Sequence, residues 1–213
     1  MKKLDIIYED KEFLVVNKPC KLLSIGTLKN KDNTLYHEVR EYIRKKNQKV
    51  FIVNRLDKDT SGIVLFVKNE KLKLLLQEKW NDISIRKYYA IVEGVLENKI
   101  GTLGNYLFES KTLEVFVSKN NKGKVAILDY EVIKENKNYS LLDIRIKTGR
   151  RNQIRCQLDY INHPIVGDKK YNSSSNPMGR LGLHAYYLKI IHPVNGREYE
   201  FEAKPDKSFF KII

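Results

Sequence analysis

Cysteine is nearly absent from this chain: Cys20 and Cys156 are the only two in 213 residues, and no Cys-x-x-Cys pair occurs. With only four histidines beside them, neither a disulfide framework nor a zinc cluster has the ligands it needs, so no metal is expected and a reducing compartment fits. Long apolar runs are missing as well. The chain opens Met-Lys-Lys, its first apolar stretch is cut at Asp5, and no segment approaches the roughly 20 apolar residues that cross a bilayer. A cytoplasmic protein without membrane contact is the expectation. Repeats, heptads and flexible linkers are also lacking, which leaves a single domain over 1–213.

Positive charge is plentiful. Forty Lys and Arg stand against 26 Asp and Glu, a formal net charge of +14, which suits a polyanionic partner and equally suits an ordinary lysine-covered surface. Thirteen Tyr, eight Phe and one Trp among the basic residues lean towards RNA, because exposed rings can stack on unpaired bases. A hydrophobic share of 42% is enough for a real core.

Along the chain, Leu4 to Tyr8 and Phe13 to Val16 read as a hairpin before the break Asn17-Lys18-Pro19. Asn33 or Thr34 can cap a helix in which Leu35, Val39, Tyr42 and Ile43 share a face. Val50 to Val53 then leads as a strand into a polar turn holding Arg55, Asp57, Lys58 and Asp59. Gly62 ends that turn, and Ile63 to Val67 is apolar and β-branched enough to be a buried strand. A second helix is predicted from Asn69 to Trp80, and a strand from Arg86 to Gly94. The stretch 101–121 shows one strand only, at Leu113 to Val117. Val125 to Ile133 and Ser140 to Ile146 alternate as adjacent antiparallel strands, and Arg150 to Ile161 has a helical face. Lys169 to Arg180, rich in Ser, Asn and basic residues, is predicted to be a mobile loop. Leu181 to Ile191 and Glu198 to Glu202 close the chain as strands around the Asn195-Gly196 turn. Many strands, few helices and hairpin connections predict an α+β fold with a mostly antiparallel sheet.

On local grounds an Asp in a turn is usually a turn-stabilising residue. The order of the surrounding residues changes that estimate. Asn54-Arg55-Leu56-Asp57-x-x-Thr60-Ser61-Gly62, then Thr148-Gly149-Arg150-Arg151-Asn152-Gln153-Ile154-Arg155, then His163-Pro164-Ile165-x-Gly167-Asp168-x-x-Tyr171, closely resemble the motifs of RNA pseudouridine synthases of the RluA type. Counting Thr148 to Tyr171 as one block, Tyr88 between the two blocks and Leu183-His184-Ala185 after them extend the likeness to four separated places.

The resemblance implies the pseudouridine synthase fold, a central, mostly antiparallel mixed sheet flanked by a few helices and loops, with an RNA-binding cleft. It implies isomerisation of a uridine in ribosomal or transfer RNA without any cofactor. Asp57 matches the nucleophile, Arg155 the cation beside it, and Tyr88 the ring against the uracil. Arg55 matches the residue that fills the gap left by the everted nucleotide. Asn54, Asn152 and Gln153 fall at substrate-site positions, while Lys18, Lys87, Arg150, Arg151, Lys169 and Lys170 are expected to meet phosphates. Asn54, Asn152 and Gln157 stand where the family commonly has His, so the proton charge a His can carry is missing there. With few residues before Asp57, a short form without the N-terminal RNA-binding S4 domain of many relatives is expected, as is a monomer. A catalytically silent RNA-binding or assembly protein is the alternative. A glycoside hydrolase using Asp57 and Asp59 is disfavoured, because two carboxylates in one turn do not flank a scissile bond.

Overall fold

In the computed structural model, which describes residues 4–26 and 32–213, the chain forms two compact units over the span for which one domain is expected. The first comprises Met1–Ile85 and Ala185–Pro205, the second Arg86–His184 and Asp206–Ile213. The Met-Lys-Lys opening lies outside the described residues.

The first unit begins with the expected hairpin, β1 (Ile6–Glu9) and β2 (Phe13–Lys18). Asp10 closes it by accepting the backbone N–H groups of Glu12 and Phe13 at 2.8 and 2.7 Å. Thr34 caps α1 (Leu35–Arg44) by accepting the His37 N–H, and Leu35, Val39 and Ile43 are its buried stripe. The short β3 (Phe51–Ile52) and β2 both pair antiparallel with β4 (Ser61–Val67). All seven residues of β4 are buried, as its unbroken apolar run requires of a strand covered on both faces. Asn69 caps α2 (Glu70–Glu78), which sends Leu72 and Leu76 into a core with Phe13, Val15, Ile63 and Leu65. The predicted single helix to Trp80 is instead broken after Glu78, and Trp80–Ile83 forms a separate turn, α3.

The second unit is a sheet in the order β5 (Ser84–Glu93), β9 (Tyr139–Ile146), β8 (Lys124–Glu135), β6 (Ile100–Glu109) and β7 (Val115–Val117), antiparallel throughout. Leu107, Val115 and Ala126 face Cys156 and Tyr171, where α4 (Gln153–Tyr160) covers one side. Returning to the first unit, β10 (Leu183–Ile191) and β11 (Glu198–Glu202) are the predicted terminal hairpin, with Gly196 at φ 71° in its turn. A 3-10 turn, Lys207–Phe210, ends the chain and buries Phe209 in the second unit against Ile91, Leu141 and Val166. The α+β class and mostly antiparallel pairing expected from the sequence are thus what the structure has.

Two further expectations fail. β6 was not anticipated because Gly101 and Gly104 interrupt it and most of its residues are exposed. An eight-residue register with β8, rather than apolar periodicity, holds it. The loop Lys169 to Arg180, expected to be mobile, is tied down by one carboxylate. Glu93 accepts the N–H groups of Ser174 and Ser175 and the hydroxyls of Ser173, Ser174 and Ser175, at 2.7 to 3.2 Å. Among the described residues, no helix is long and apolar enough to cross a membrane.

Candidate active site

In the first unit, the turn that carries Asp57 is fixed from three directions. Lys18 is fully buried at the end of β2, and its ammonium donates to the carbonyls of Pro19, Leu22 and Lys58 at 3.0, 2.7 and 3.0 Å. A buried ammonium requires such matching, since each unmet donor carries its full desolvation cost. The Ser24 hydroxyl donates to the Leu56 carbonyl at 2.6 Å and accepts the Leu56 N–H at 3.0 Å. Asn54 works across the turn: its Oδ1 accepts the Leu65 N–H at 2.7 Å and its Nδ2 donates to the Ile63 carbonyl at 3.4 Å. Asp57 and Asp59 are half-buried, and Arg55 and Lys58 are exposed.

Gly62, which ends the turn, has φ 115°, and a Cβ there would lie 2.1 Å from the Ala185 carbonyl oxygen. Glycine is therefore required for both conformation and space. Lys18 is corrected by this geometry. A residue without solvent exposure cannot meet a phosphate at the surface, and its role is to hold the Asp57 turn.

In the second unit, the Thr148-Gly149-Arg150 segment leads into α4. Thr148 donates from its hydroxyl to Gln153 Oε1 at 2.8 Å, and the Arg150 N–H donates to the same oxygen at 3.0 Å. Gln153 Nε2 reaches the Ile127 carbonyl at 3.1 Å. Asn152 sits at φ 50°, in the left-handed region where Asn is among the better-tolerated residues, and its Oδ1 accepts from Arg155 Nη1 at 3.1 Å. Arg155 grips Asp168 with two parallel bonds, Nε to Oδ2 at 2.7 Å and Nη2 to Oδ1 at 2.8 Å, and both residues are buried. Asp168 is the partner that sequence reasoning missed. Its signal is the Gly167-Asp168 turn, where the same carboxylate also accepts the N–H groups of Lys170 and Tyr171.

Tyr88 is buried on β5, opposite Ile144 of β9, and shares its strand face with Arg86 two residues earlier. Arg86 is a further buried cation of the second unit, 5% exposed, that sequence reasoning passed over as part of a basic entrance. It donates to the Lys147 carbonyl at 3.2 Å, and a Cβ at Gly149 would meet its Nη1 at 3.0 Å. Burial holds its guanidinium below the ordinary value.

Lys87, expected to meet phosphate, lies on the opposite face of the strand from Tyr88 and approaches Asp143 at 3.5 Å. Gln153 and Asn152 lie at the start of α4 beside Arg155. Both are buried, and their amides orient Thr148, Arg150 and Arg155. Arg150 donates to the Val125 carbonyl, and exposed Arg151 pairs with Glu109 at 2.7 Å. Lys169 and Lys170 are exposed. Gln157, fully buried, donates to Asn105 Oδ1 and to the carbonyls of Leu103 and Ala126. Burial pushes the Cys156 thiol up to about 11, which removes it as a nucleophile. Among the described residues, no cluster of His, Cys, Asp and Glu could hold a metal ion.

Residues 12–160 match the family model described as RNA pseudouridylate synthase. An uncharacterized RNA pseudouridine synthase of Mycoplasma pneumoniae is 35% identical over 212 residues, which cover 97% of this chain and 68% of that protein. The ribosomal large subunit pseudouridine synthase D of Zymomonas mobilis is 33% identical over 219 residues, 94% of this chain and 69% of its own length. Among solved structures, human RNA pseudouridylate synthase domain containing 1 has the same fold, with a TM-score of 0.78 at 24% identity, covering 96% of this chain and 84% of that one. Human RNA pseudouridylate synthase domain containing 4 gives a TM-score of 0.79 at 21% identity, covering 96% and 90%.

Proposed function

Since the chain belongs to the RNA pseudouridine synthase family, isomerases that convert uridine to pseudouridine in RNA, we propose that it modifies one particular uridine of ribosomal or transfer RNA with Asp57 as nucleophile. The name of the Zymomonas mobilis relative favours ribosomal RNA. The observation that carries the reading is the construction around Asp57. A turn braced by a buried lysine, a buried serine and a bridging asparagine presents a half-buried carboxylate at the entry to a fully buried strand. Such bracing limits where a side chain can go, which is what attack on one carbon atom needs.

In the reaction, the Asp57 carboxylate attacks C1′ as the C1′–N1 bond breaks, the uracil turns, and C5 re-forms the bond to C1′ while the carboxylate leaves. The proton lost from C5 is balanced by one gained at N1, so neither a redox partner nor an energy source is required. Tyr88 packs against the uracil, and Arg155 offsets the charge of the acid, its guanidinium oriented by Asp168. Arg55 fills the gap left by the nucleotide, which must leave its stack before C1′ and C5 are accessible. Arg150, Arg151, Lys169 and Lys170 remain the phosphate contacts of this reading. The enzyme acts as a monomer in the cytoplasm.

Pseudouridine maps of total RNA from cells with and without the gene test this. One site is expected to vanish in the deletion, to return with the wild-type chain, and to stay absent with Asp57→Ala. A deletion that keeps every site, together with purified protein that binds RNA without altering it, would favour a silent RNA-binding protein.

A further inference from the structure

The solvent-facing side of an antiparallel sheet ordinarily carries polar side chains, because only the other side is packed. β6, β7 and β8 break that rule at one end. Leu107, Val115 and Ala126 turn inward, and the side chains that alternate with them are Tyr106, Phe108, Phe116 and Val125, at 39, 40, 48 and 40% exposure. The ladder sets Phe108 opposite Phe116 and Tyr106 opposite Val125, so the four make one patch across three strands. The two phenyl rings lie 5.3 Å apart and tilted by 45°. In the adjoining turn, Leu113 adopts φ 65° and is 52% exposed. A leucine gains no stability from that conformation or from that exposure. A contiguous apolar surface of this kind marks an interaction site.

Charge identifies the occupant. Lys111 lies in the turn between β6 and β7, Lys119 and Lys122 lie in the turn between β7 and β8, and none of the three makes an ion pair among the described residues. Of the two acids there, Glu109 is already paired to Arg151 at 2.7 Å, and Glu114 accepts from the Thr112 hydroxyl. A second copy would bring the same unpaired lysines to the contact and be repelled. A nucleic-acid strand brings phosphates for the lysines and flat faces for the rings, and only unpaired bases can present those faces. We propose that this face of β6, β7 and β8 is a docking platform for a single-stranded segment of the RNA substrate, whose bases stack on Phe108 and Phe116. The proposal rests on the reading that the chain acts on RNA, and it is independent of the role of Asp57.

Fluorescence anisotropy of a short, unstructured, labelled oligoribonucleotide with the full chain is the test. Phe108→Ala and Phe116→Ala are each expected to weaken binding roughly fivefold to a hundredfold, the range found when stacking rings are truncated. Phe116→Leu, which keeps apolar surface but loses the ring, is expected to weaken it similarly, and Phe116→Tyr to bind as wild type. Wild-type affinity in a natively folded Phe108→Ala/Phe116→Ala protein overturns the proposal, as does wild-type affinity in Phe116→Leu. Sedimentation velocity adds a third overturning outcome, self-association that the double substitution abolishes, which would assign the face to a second copy. Isomerisation by the wild-type protein is measured in parallel. If RNA is isomerised while the ring variants bind normally, only the platform fails. If no RNA is isomerised, the enzymatic reading fails and the anisotropy still decides the platform.

Discussion

Arg155 and Asp168 are both almost without solvent, so each depends on the other. Truncating one member of such a pair leaves an uncompensated charge in a poorly polarizable place, typically a loss of about 3–5 kcal/mol. Asp168→Ala is therefore expected to destabilise the protein by about that amount in urea unfolding, with Asp168→Asn losing less because its amide oxygen can still accept one bond. Equal unfolding midpoints for Asp168→Ala and wild type would contradict the pairing. The neutral residues at positions where the family has His also make sense at this scale. Asn152 satisfies a left-handed backbone that Asn and His both tolerate, and Asn54 supplies one donor and one acceptor across a turn. Neither task requires a proton charge.

At the scale of elements, the Asp57 turn and β4 form one object closed by Gly62. Gly62→Ala would force a left-handed alanine, about 1–3 kcal/mol, and would push a methyl into the Ala185 backbone as well. The expected result is a melting temperature far below wild type or insoluble protein; a variant that melts with the wild type would show that the two strands do not approach so closely. Most elements were legible in the sequence because their apolar spacing is regular: α1 by its cap and stripe, β4 by its unbroken run, the terminal hairpin by Asn195-Gly196. β6 was illegible because backbone pairing, not side-chain pattern, defines it. The Ser-rich loop misled for a related reason, since its anchor, Glu93, lies 80 residues upstream of Ser173. In the candidate site, the motifs pointed to Arg155 but not to Asp168 as its partner. They also mistook Lys18 for a surface cation, because burial of a polar residue leaves no mark in local sequence.

For the whole molecule, two strongly lowered carboxylates, one in each unit, contribute to the response to acid. Burial alone would push Glu9 up, but hydrogen bonds from Lys46, Lys68 and Tyr42 bring it down to about 2. Glu93, opposed in the same way by burial, is brought to about 2 by Ser175, Ser173 and Ser174. Because both folded values lie below the ordinary 4.5, the stabilisation is complete above 4.5 and is lost as pH falls towards 2. Melting temperature should accordingly fall across that interval, and Glu9→Gln and Glu93→Gln should each flatten the fall; identical pH profiles for both variants and wild type would refute it.

Because Ala185–Pro205 completes a unit begun by Met1–Ile85, the ribosome releases the chain in an order that differs from the order of assembly. β4 emerges early, yet its neighbour β10 is not synthesised until most of the second unit has appeared. Until then an intensely apolar strand waits with one edge open, and the nascent protein needs shelter from aggregation for most of its translation.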